Sequence, residues 1–493
     1  MPVLDALAET GAIGSTVRQI ATRMASPEPA VSRLLEGLRK DGRVVRLGRG
    51  LYVLKDFEHL DRREDFVAPE EFTERFVREG GVTLGRYNGP ITFSPNDTLP
   101  VHRWWPYVQG YSAEFVRDLI GSLDLALPAR VLDPFCGSGT TPVEARKLGH
   151  RAIGTELMPP AALAARVKTR FELDPDALDR AGVGLVRRAR RRRAGVPPFL
   201  KETPQHFDPT VLADLTRLRD SLPIGDGPVE EALRLAFGAI LIPASRLRRS
   251  PCLGYGRPES TTSPDVFARF ADQVRAMVDD LRALGASRAS WGPPASILAT
   301  DARALELPPG SLDLAVTSPP YVNGMDYVMN YKLDLAWLGY AHGYADLARL
   351  RSSMVACDNL PRRETARYLS TRETPDPWLT EILDRIRTNV ARKQTYRRND
   401  AHGIVHRYFA DLVPVLRHVY RALRPRGRFV LVVGDSLLAG TYIPGDLLLA
   451  RMGIRAGFRI ASVDVARERR SGQRRSFRLR ESIISLEKPA LAG

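Results

Sequence analysis

Two short segments of this chain carry residue types at spacings that could do chemistry. The first, residues 133–141, reads D-P-F-C-G-S-G-T-T and lies between a strand pattern and a helix pattern. The second, residues 317–321, reads T-S-P-P-Y and ends another apolar strand. The first segment suits a cofactor that has a charged end and sugar hydroxyls. The second suits a flat ring that carries an amine.

The first segment has the position of a ligand-binding loop. In open parallel sheets, ligands bind beyond the carboxyl ends of the strands, where loops lead into helices. Gly137 and Gly139 allow positive φ and a close backbone approach, and Thr140 opens the helix. These features suit S-adenosylmethionine (SAM). The residues that we expect to bind it are Asp133, Pro134, Phe135, Gly137, Gly139, Thr140, Glu156, Asp301 and Phe93.

The acidic residues of this set have separate expected roles. Asp133 is expected to meet the amine end of SAM, directly or through water. Glu156 ends the next strand and is expected to accept hydrogen bonds from the ribose hydroxyls. Asp301 follows a later strand and is expected to meet the adenine.

The second segment can activate an exocyclic amine, which is a poor nucleophile because its lone pair is delocalised into the ring. The Ser318 hydroxyl and the Pro319 carbonyl can accept both amine hydrogens, which frees the lone pair for attack on the sulfonium methyl. Pro319 and Pro320 fix the turn. Tyr321 offers a face on which an extruded base can stack. We therefore predict that Ser318, Pro319, Pro320 and Tyr321 are the catalytic residues, without a covalent enzyme intermediate.

Together the two segments resemble those of the DNA amino-methyltransferases that modify cytosine N4 or adenine N6, over roughly residues 90–486. The resemblance implies SAM as cofactor and DNA as partner. A serine at the position of Ser318 is more usual among the cytosine-N4 enzymes, whereas Asp or Asn leads in most adenine-N6 enzymes. Methylation of cytosine N4 is therefore the predicted reaction, and adenine N6 is the alternative.

Other functions fit these residues less well. Methylation of cytosine C5 needs a nucleophilic cysteine, but Cys252 lacks nearby acid–base partners and Cys136 belongs to the cofactor loop. RNA guanine-N2 enzymes usually carry an aspartate where Ser318 stands. A DNA-binding regulator that holds SAM without turnover is a further alternative, and the intact pair of segments argues against it.

Residues beside the two segments are additional candidates. Phe93-Ser94-Pro95 and the aromatic segment 102–107 resemble the part of such enzymes that covers the methionine end of SAM. After the second segment, Asn323, Asp326 and Tyr327 are candidates to line the path of the base.

The elements that must position these residues alternate between strand and helix. Apolar strands are predicted at 131–132, 151–154, 296–299, 312–316 and 428–433, and an antiparallel hairpin at the sheet edge is predicted at 458–465 and 477–486. Such strands separated by helices indicate a parallel sheet covered on both faces. The predicted fold class is therefore α/β, with a Rossmann-like methyltransferase sheet.

The remaining segments predict further units. Residues 1–54 suit a winged helix-turn-helix, with Ser15 capping its second helix and Val31, Leu34, Leu35 and Leu38 inward on its third. The other predicted units are a linker at 55–89, the first part of the methyltransferase domain at 90–159, a helical insert for target recognition at 160–292, and the second part at 293–493.

The charge pattern suits a polyanionic partner. The formal net charge is +16, although an arginine-dominated excess is also what GC-rich coding produces. Three basic segments are candidate DNA contacts: 187–193, 385–398 and 467–475. A solvated surface is the alternative for each.

Composition bounds the environment. The 493 residues are 44% hydrophobic and 26% charged, with neither a run of about 18 apolar residues nor a signal-peptide pattern, so we expect a cytoplasmic protein without a membrane partner. Cys136, Cys252 and Cys357 lack zinc-ligand spacing, so we expect reduced thiols and no metal. The resemblance leaves room for a restriction or defence partner. The sequence specifies neither that partner nor the oligomeric state.

Overall fold

The structure, a computed structural model, describes most of the chain. The described residues are 2–10, 15–47, 51–55, 69–107, 110–249, 252–256, 265–285, 290–322, 326–355, 374, 376–392, 400–470 and 478–490. The strands are β1 (Ser15–Thr16), β2 (Val44–Leu47), β3 (Leu51–Leu54), β4 (Leu84–Arg86), β5 (Arg130–Asp133), β6 (Arg151–Thr155), β7 (Leu247–Arg249), β8 (Leu253–Tyr255), β9 (Ser296–Leu298), β10 (Leu312–Thr317), β11 (Leu423–Gly434), β12 (Ser436–Leu438), β13 (Thr441–Ile443), β14 (Arg459–Arg470) and β15 (Arg478–Glu487).

Helices connect most of these strands. They are α1 (Pro2–Thr10), α2 (Val17–Arg23), α3 (Glu28–Lys40), α4 (Pro69–Gly80), α5 (Ala113–Ser122), α6 (Thr140–Lys147), α7 (Pro159–Lys168), α8 (Pro175–Arg191), α9 (Thr203–His206), α10 (Pro209–Asp220), α11 (Pro228–Leu241), α12 (Val266–Leu284), α13 (Tyr327–Asn330), α14 (Lys332–Trp337), α15 (Tyr344–Ser353), α16 (Pro377–Arg392), α17 (Ala401–Ala422) and α18 (Gly445–Arg455).

The central sheet confirms the predicted α/β class. Within the described ranges it has eight strands in the order β4-β14-β15-β11-β10-β5-β6-β9. Neighbouring strands from β11 to β9 pair in parallel, and β15 alone runs against them. The carboxyl ends of β5, β6, β9, β10 and β11 therefore lie on one edge, where ligands bind in such sheets.

Both faces of the sheet are buried, as the continuous apolar strands predict. Leu314 and Val316 belong to a core that includes residues of α5 and α6. Ala315, which lies between them in β10, belongs to a core that includes residues of α4, α16, α17 and α18. Successive side chains of a strand point to opposite faces, so the two helical layers cover opposite sides of the sheet.

Two expectations about the sheet domain need correction. Residues 69–86 are not a linker, because α4 buries Phe72 and Phe76 in the main core and β4 pairs in parallel with β14. The β14–β15 pair is an antiparallel hairpin as predicted, but it is not at the edge, since β4 lies outside it. A three-residue strand such as β4 gives too short a pattern to be recognised in sequence.

The first 55 residues include α1, α2, α3 and a sheet of order β1-β3-β2. The N-cap of α2 is Thr16 rather than Ser15, because the Thr16 hydroxyl accepts from the Gln19 backbone N–H at 3.2 Å and the Gln19 side chain accepts from the Thr16 N–H. Leu34 is 43% exposed rather than inward. The winged-helix assignment stays a prediction.

Residues 160–292 contain mainly helices, together with the unpredicted antiparallel hairpin β7–β8. The core of this insert also takes in Trp104 and Trp105 from before the cofactor loop, and Tyr331 and Trp337 from after the second motif. The insert is therefore packed directly against elements of the cleft. Among the described helices, none has the length and apolarity that spanning a bilayer requires.

Candidate active site

The cofactor loop turns as its glycines predict. Gly137 and Gly139 have φ of 52° and 91°, and Gly139 is the N-cap of α6. A Cβ at Gly137 would lie 2.8 Å from the Tyr107 ring, and one at Gly139 would lie 2.9 Å from the Ala165 Cα. The glycines therefore admit a close approach by the protein's own residues, an aromatic ring at Gly137 and helix α7 at Gly139.

Asp133 is the centre of a buried hydrogen-bond network. Its Oδ2 accepts from the Tyr111 hydroxyl at 2.6 Å, and its Oδ1 accepts from the Thr317 hydroxyl at 2.7 Å and the Phe135 N–H at 3.0 Å. Burial raises the pKa of Asp133 despite these donors. The carboxylate thus joins the cofactor loop to the end of β10, while still lining the cleft.

Glu156 lies just beyond β6, opposite the loop. Its Oε2 accepts from the Gly137 N–H at 2.9 Å and its Oε1 accepts from the Met158 N–H at 2.7 Å. Burial raises the pKa of Glu156 to about 7, against the effect of these two bonds. An ionised carboxylate has further acceptor sites, so Glu156 keeps the capacity to accept more hydrogen bonds, and its ribose role stays a prediction.

Of two other predicted cofactor residues, Asp301 lines the cleft and Phe93 does not. Asp301 lines the cleft, but both of its oxygens accept from the Arg303 guanidinium, at 2.6–3.0 Å. Phe93 lies one layer behind, with its ring 6.3 Å from that of Tyr107 and against Gly110. We therefore expect Phe93 to support the wall of the cleft rather than to touch the cofactor.

The second motif opens on the same space as the first. Ser318 and Pro320 line the cleft together with Asp133, Glu156 and Asp301. Pro319 is buried. This arrangement fits SAM, because the acidic groups suit its amine and ribose and the second motif faces the same cleft.

Tyr321 leaves the cofactor cleft and is fixed from two sides. Its hydroxyl donates to Glu481 Oε1 at 2.5 Å, and its ring lies 2.8 Å from where a Cβ on Gly434 would be. Burial and the Glu481 carboxylate raise the pKa of Tyr321 well above its ordinary value. Arg467 forms an ion pair with Glu481, so the tyrosine is anchored to the hairpin β14–β15.

Several known proteins resemble this chain in sequence. A sequence model of the N6/N4 methyltransferase family, described as DNA methylase, matches residues 128–165, which include the cofactor loop and Glu156. Type II methyltransferase M.BsoBI of Geobacillus stearothermophilus is 24% identical over 486 residues, covering 88% of this chain and 92% of that protein. Type II methyltransferase M.AvaI of Nostoc sp. is 24% identical over 417 residues, covering 76% and 82%.

The chain is thus similar to DNA amino-methyltransferases, both at the cofactor loop and over most of its length. Its cofactor is SAM, as predicted. Among solved structures, a SAM-dependent methyltransferase from Methanosarcina mazei aligns with 76% of this chain and 97% of its own, at 11% identity and a TM-score of 0.27. That likeness is too weak to bear on function.

Buried ionisable groups also lie next to Gly434, the residue on which the Tyr321 ring packs. Asp435, next to Gly434, accepts from the Arg480 Nε at 3.1 Å and from the Tyr442 hydroxyl. Burial and the neighbouring Asp446 raise the pKa of Asp435 to about 7. This cluster fixes the end of β11, on which the Tyr321 ring rests.

The candidate residues that follow the second motif have different positions in the structure. Tyr327 lines the cleft. Asp326 caps α13, accepting from the Met329 N–H at 3.0 Å, and pairs with Arg351. Asn323 lies outside the described residues. Cys136 is buried in the loop and Cys252 is exposed, while Cys357 lies outside the described residues.

Sequence reasoning missed the partners that hold the motifs. Tyr111, Thr317 and Glu481 bind motif residues from 22, 184 and 160 positions away. Thr317 is part of the second motif, but no pattern distinguishes its role. Glu481 has no sequence signal, because a charged residue in a hairpin that the sequence places at the sheet edge is expected to be solvated.

Proposed function

We propose that this chain is a site-specific DNA methyltransferase that transfers the methyl group of SAM to the exocyclic N4 amine of cytosine. One observation carries the proposal: Ser318 and Pro320 of the second motif line the same cleft as Asp133 and Glu156 of the cofactor site. The DNA methylase match and the Type II names of the relatives support DNA as the substrate and a restriction–modification setting.

The chemistry follows from the acceptors of the second motif. The Ser318 hydroxyl and the Pro319 carbonyl accept the two amine hydrogens and favour the pyramidal nitrogen. Asp133 and Glu156 would hold SAM, which when bound would supply an electrophilic methyl group; the sulfur–carbon bond would break as the nitrogen–carbon bond forms, and the surplus amine proton would pass to solvent. A serine in the first position of the motif supports cytosine over adenine.

Tyr321 is the proposed platform for the extruded base. Stacking of a base on an aromatic ring contributes about 1–3 kcal/mol, which offsets part of the cost of extrusion. The bond to Glu481 and the contact with Gly434 hold the ring plane before DNA arrives. A fixed ring loses little conformational entropy on stacking.

The carboxyl-terminal end of α8 is the proposed contact with the DNA backbone. Arg187, Arg188 and Arg191–Arg193 are exposed there, and no ion pair within the described parts of the chain involves them. Many other arginines are paired with carboxylates, for example Arg275 with Asp272. Unpaired guanidinium groups suit phosphates. Segments 385–398 and 467–475 lie partly outside the described residues and stay predictions.

The deciding experiment measures methyl transfer from labelled SAM to mixed-sequence duplex DNA, with the product nucleosides separated by mass spectrometry. The expected product is N4-methylcytosine. N6-methyladenine would keep the site and overturn the base assignment, and labelling of an RNA control alone would move the substrate to RNA. A protein that binds SAM and DNA but labels neither would be a regulator.

A matched variant isolates the second motif. Ser318→Ala removes one amine acceptor, and we expect methyl transfer to fall about a hundredfold by analogy with other preorganised polar groups. Ser318→Thr keeps the hydroxyl and is expected to retain more activity. Equal activity of the alanine variant and the wild type would refute the role of the serine.

A further inference from the structure

Three side chains form a stack that runs from the insert to the cofactor loop. The guanidinium carbon of Arg249 lies 4.3 Å from the centroid of the Tyr331 ring. Tyr331 stacks on Tyr107, with centroids 6.1 Å apart and planes inclined by 16°. Tyr107 in turn lies against Gly137. We call Arg249, Tyr331 and Tyr107 the tyrosine stack.

Two polar contacts hold the Arg249 guanidinium in place. Its Nε donates to the Asn330 carbonyl at 3.0 Å, and it forms an ion pair with Asp334, which is fully buried. The pKa of Asp334 is raised by burial, against the effect of Arg249. Because the guanidinium is planar and both contacts are directional, its orientation over the Tyr331 ring is fixed.

Arg249 connects the insert to the residues that follow the second motif. It ends β7, the first strand of the hairpin in the insert, and its side chain is 9% exposed, whereas the preceding Arg248 is exposed. Alternation along the strand therefore turns one arginine toward solvent and the other toward Tyr331 and Asp334. Tyr331 and Asp334 follow the second motif, so the stack joins three distant parts of the chain.

Gly137 is where the stack meets the cofactor site. The Tyr107 ring packs against Gly137, and the Gly137 N–H donates to Glu156, the proposed ribose acceptor. A displacement of Tyr107 would release Gly137 and change the distance between the loop and Glu156. The loop is thus held by packing from Tyr107 and by hydrogen bonding from Glu156.

We propose that Arg249 is a positioning residue for the cofactor loop, acting through Tyr331 and Tyr107. The inference rests on the proposed SAM site. Because Lys168 and Trp105 also pack near this segment, the stack is one support among several, and its removal weakens binding without abolishing the site.

The test compares SAM affinity, measured by calorimetry on the full chain, across matched variants. Arg249→Lys keeps a cation for Asp334 but removes the planar stacking group, and should raise the Kd for SAM by roughly threefold to tenfold. Tyr331→Leu should do the same, whereas Tyr331→Phe keeps the ring and should bind as the wild type. Arg248→Lys is the control in the same strand.

A second readout separates positioning from stability. Removal of a merely structural interaction would lower the melting temperature or the active fraction, but would leave the Kd of the folded protein unchanged. Unchanged SAM affinity in both Arg249→Lys and Tyr331→Leu would overturn the inference while leaving the proposed function intact. A wild-type chain that binds no SAM would instead refute the proposed function.

Discussion

Thr317 donates a hydrogen bond from its Oγ1 to Oδ1 of Asp133 at 2.7 Å, across 184 positions of sequence. Asp133 begins the cofactor loop and Thr317 immediately precedes Ser318, so this buried bond fixes the separation of the two motifs. Strands β5 and β10 are adjacent and parallel, which brings their carboxyl ends together. The alignment of donor and acceptor therefore depends on the register of this strand pair.

Thr317→Val keeps the shape of the side chain and removes the donor. We expect it to cost about 1–3 kcal/mol of unfolding free energy, because a buried acceptor loses a partner. Methyl transfer should fall as well, since Ser318 is the next residue. Urea denaturation and single-turnover assays check this, with Thr317→Ser as the control that keeps the hydroxyl. A valine variant as stable and active as the wild type would contradict the structural role of the bond.

SAM affinity should depend on pH through Glu156. Its pKa of about 7 in the folded protein means that a proton must leave before the carboxylate can accept from ribose hydroxyls. Affinity should therefore rise as the pH rises, with about a tenfold loss at one unit below that pKa. Titration calorimetry between pH 6 and 8 checks the sign.

The matched variant for that experiment is Glu156→Gln. It should bind SAM more weakly and with little dependence on pH over the same window. The raised pKa also means that ionisation of Glu156 destabilises the free protein, so stability from this group is present below its unfolded value of 4.5 and lost as the pH rises toward 7. Binding that is independent of pH in the wild type would remove Glu156 from the ribose site.

Tyr321 separates catalysis from cofactor binding. Tyr321→Ala should abolish methyl transfer and leave SAM affinity nearly unchanged, because the ring anchors on Gly434 and Glu481 rather than lining the cofactor cleft. Tyr321→Phe keeps the stacking face and removes the bond to Glu481, so partial activity should remain. If the alanine variant loses SAM binding or folding, the tyrosine is structural.

Gly137→Ala tests the close approach in the loop. A Cβ there would lie 2.8 Å from the Tyr107 ring at a φ of 52°, so both sterics and backbone conformation oppose it. We expect about 1–2 kcal/mol lower stability from the left-handed backbone alone, and weaker SAM binding. Gly121→Ala is the matched control, because nothing lies within 4 Å of its Cβ position in α5. That control should be stabilising by about 0.5–1 kcal/mol.

The arginines at the end of α8 should set the salt dependence of DNA binding. Replacing Arg191, Arg192 and Arg193 by glutamine should reduce the slope of log affinity against log salt by about 0.9 for each phosphate that is no longer neutralised. SAM affinity should not change. Arg275→Gln, at an arginine already paired with Asp272, is the control. An unchanged slope in the triple variant would mean that the run is a solvated surface.

Features that depend on neighbouring residues could be predicted from the sequence, whereas features that depend on distant contacts could not. Strands, their order along the chain and both motifs followed from local pattern, because apolar runs and turn residues act over a few positions. The prediction that Leu34 faces inward was wrong, because the apolar residues of α3 span a wider face of the helix than the part that is buried. Leu34 is 43% exposed. The segment 69–86 was misplaced because the burial of Phe72 and the pairing of β4 depend on distant partners.

The sequence by itself determined where the two motifs lie, which residue types they offer and that each follows an apolar strand. Only the tertiary structure decided what those residues touch: Tyr111 and Thr317 on Asp133, Tyr107 on Gly137, and Glu481 on Tyr321. The physical reason is that motif chemistry resides in a few adjacent side chains. Their orientation is set by hydrogen bonds and packing between strands and helices far apart in sequence, which form only when the sheet assembles in one order and register.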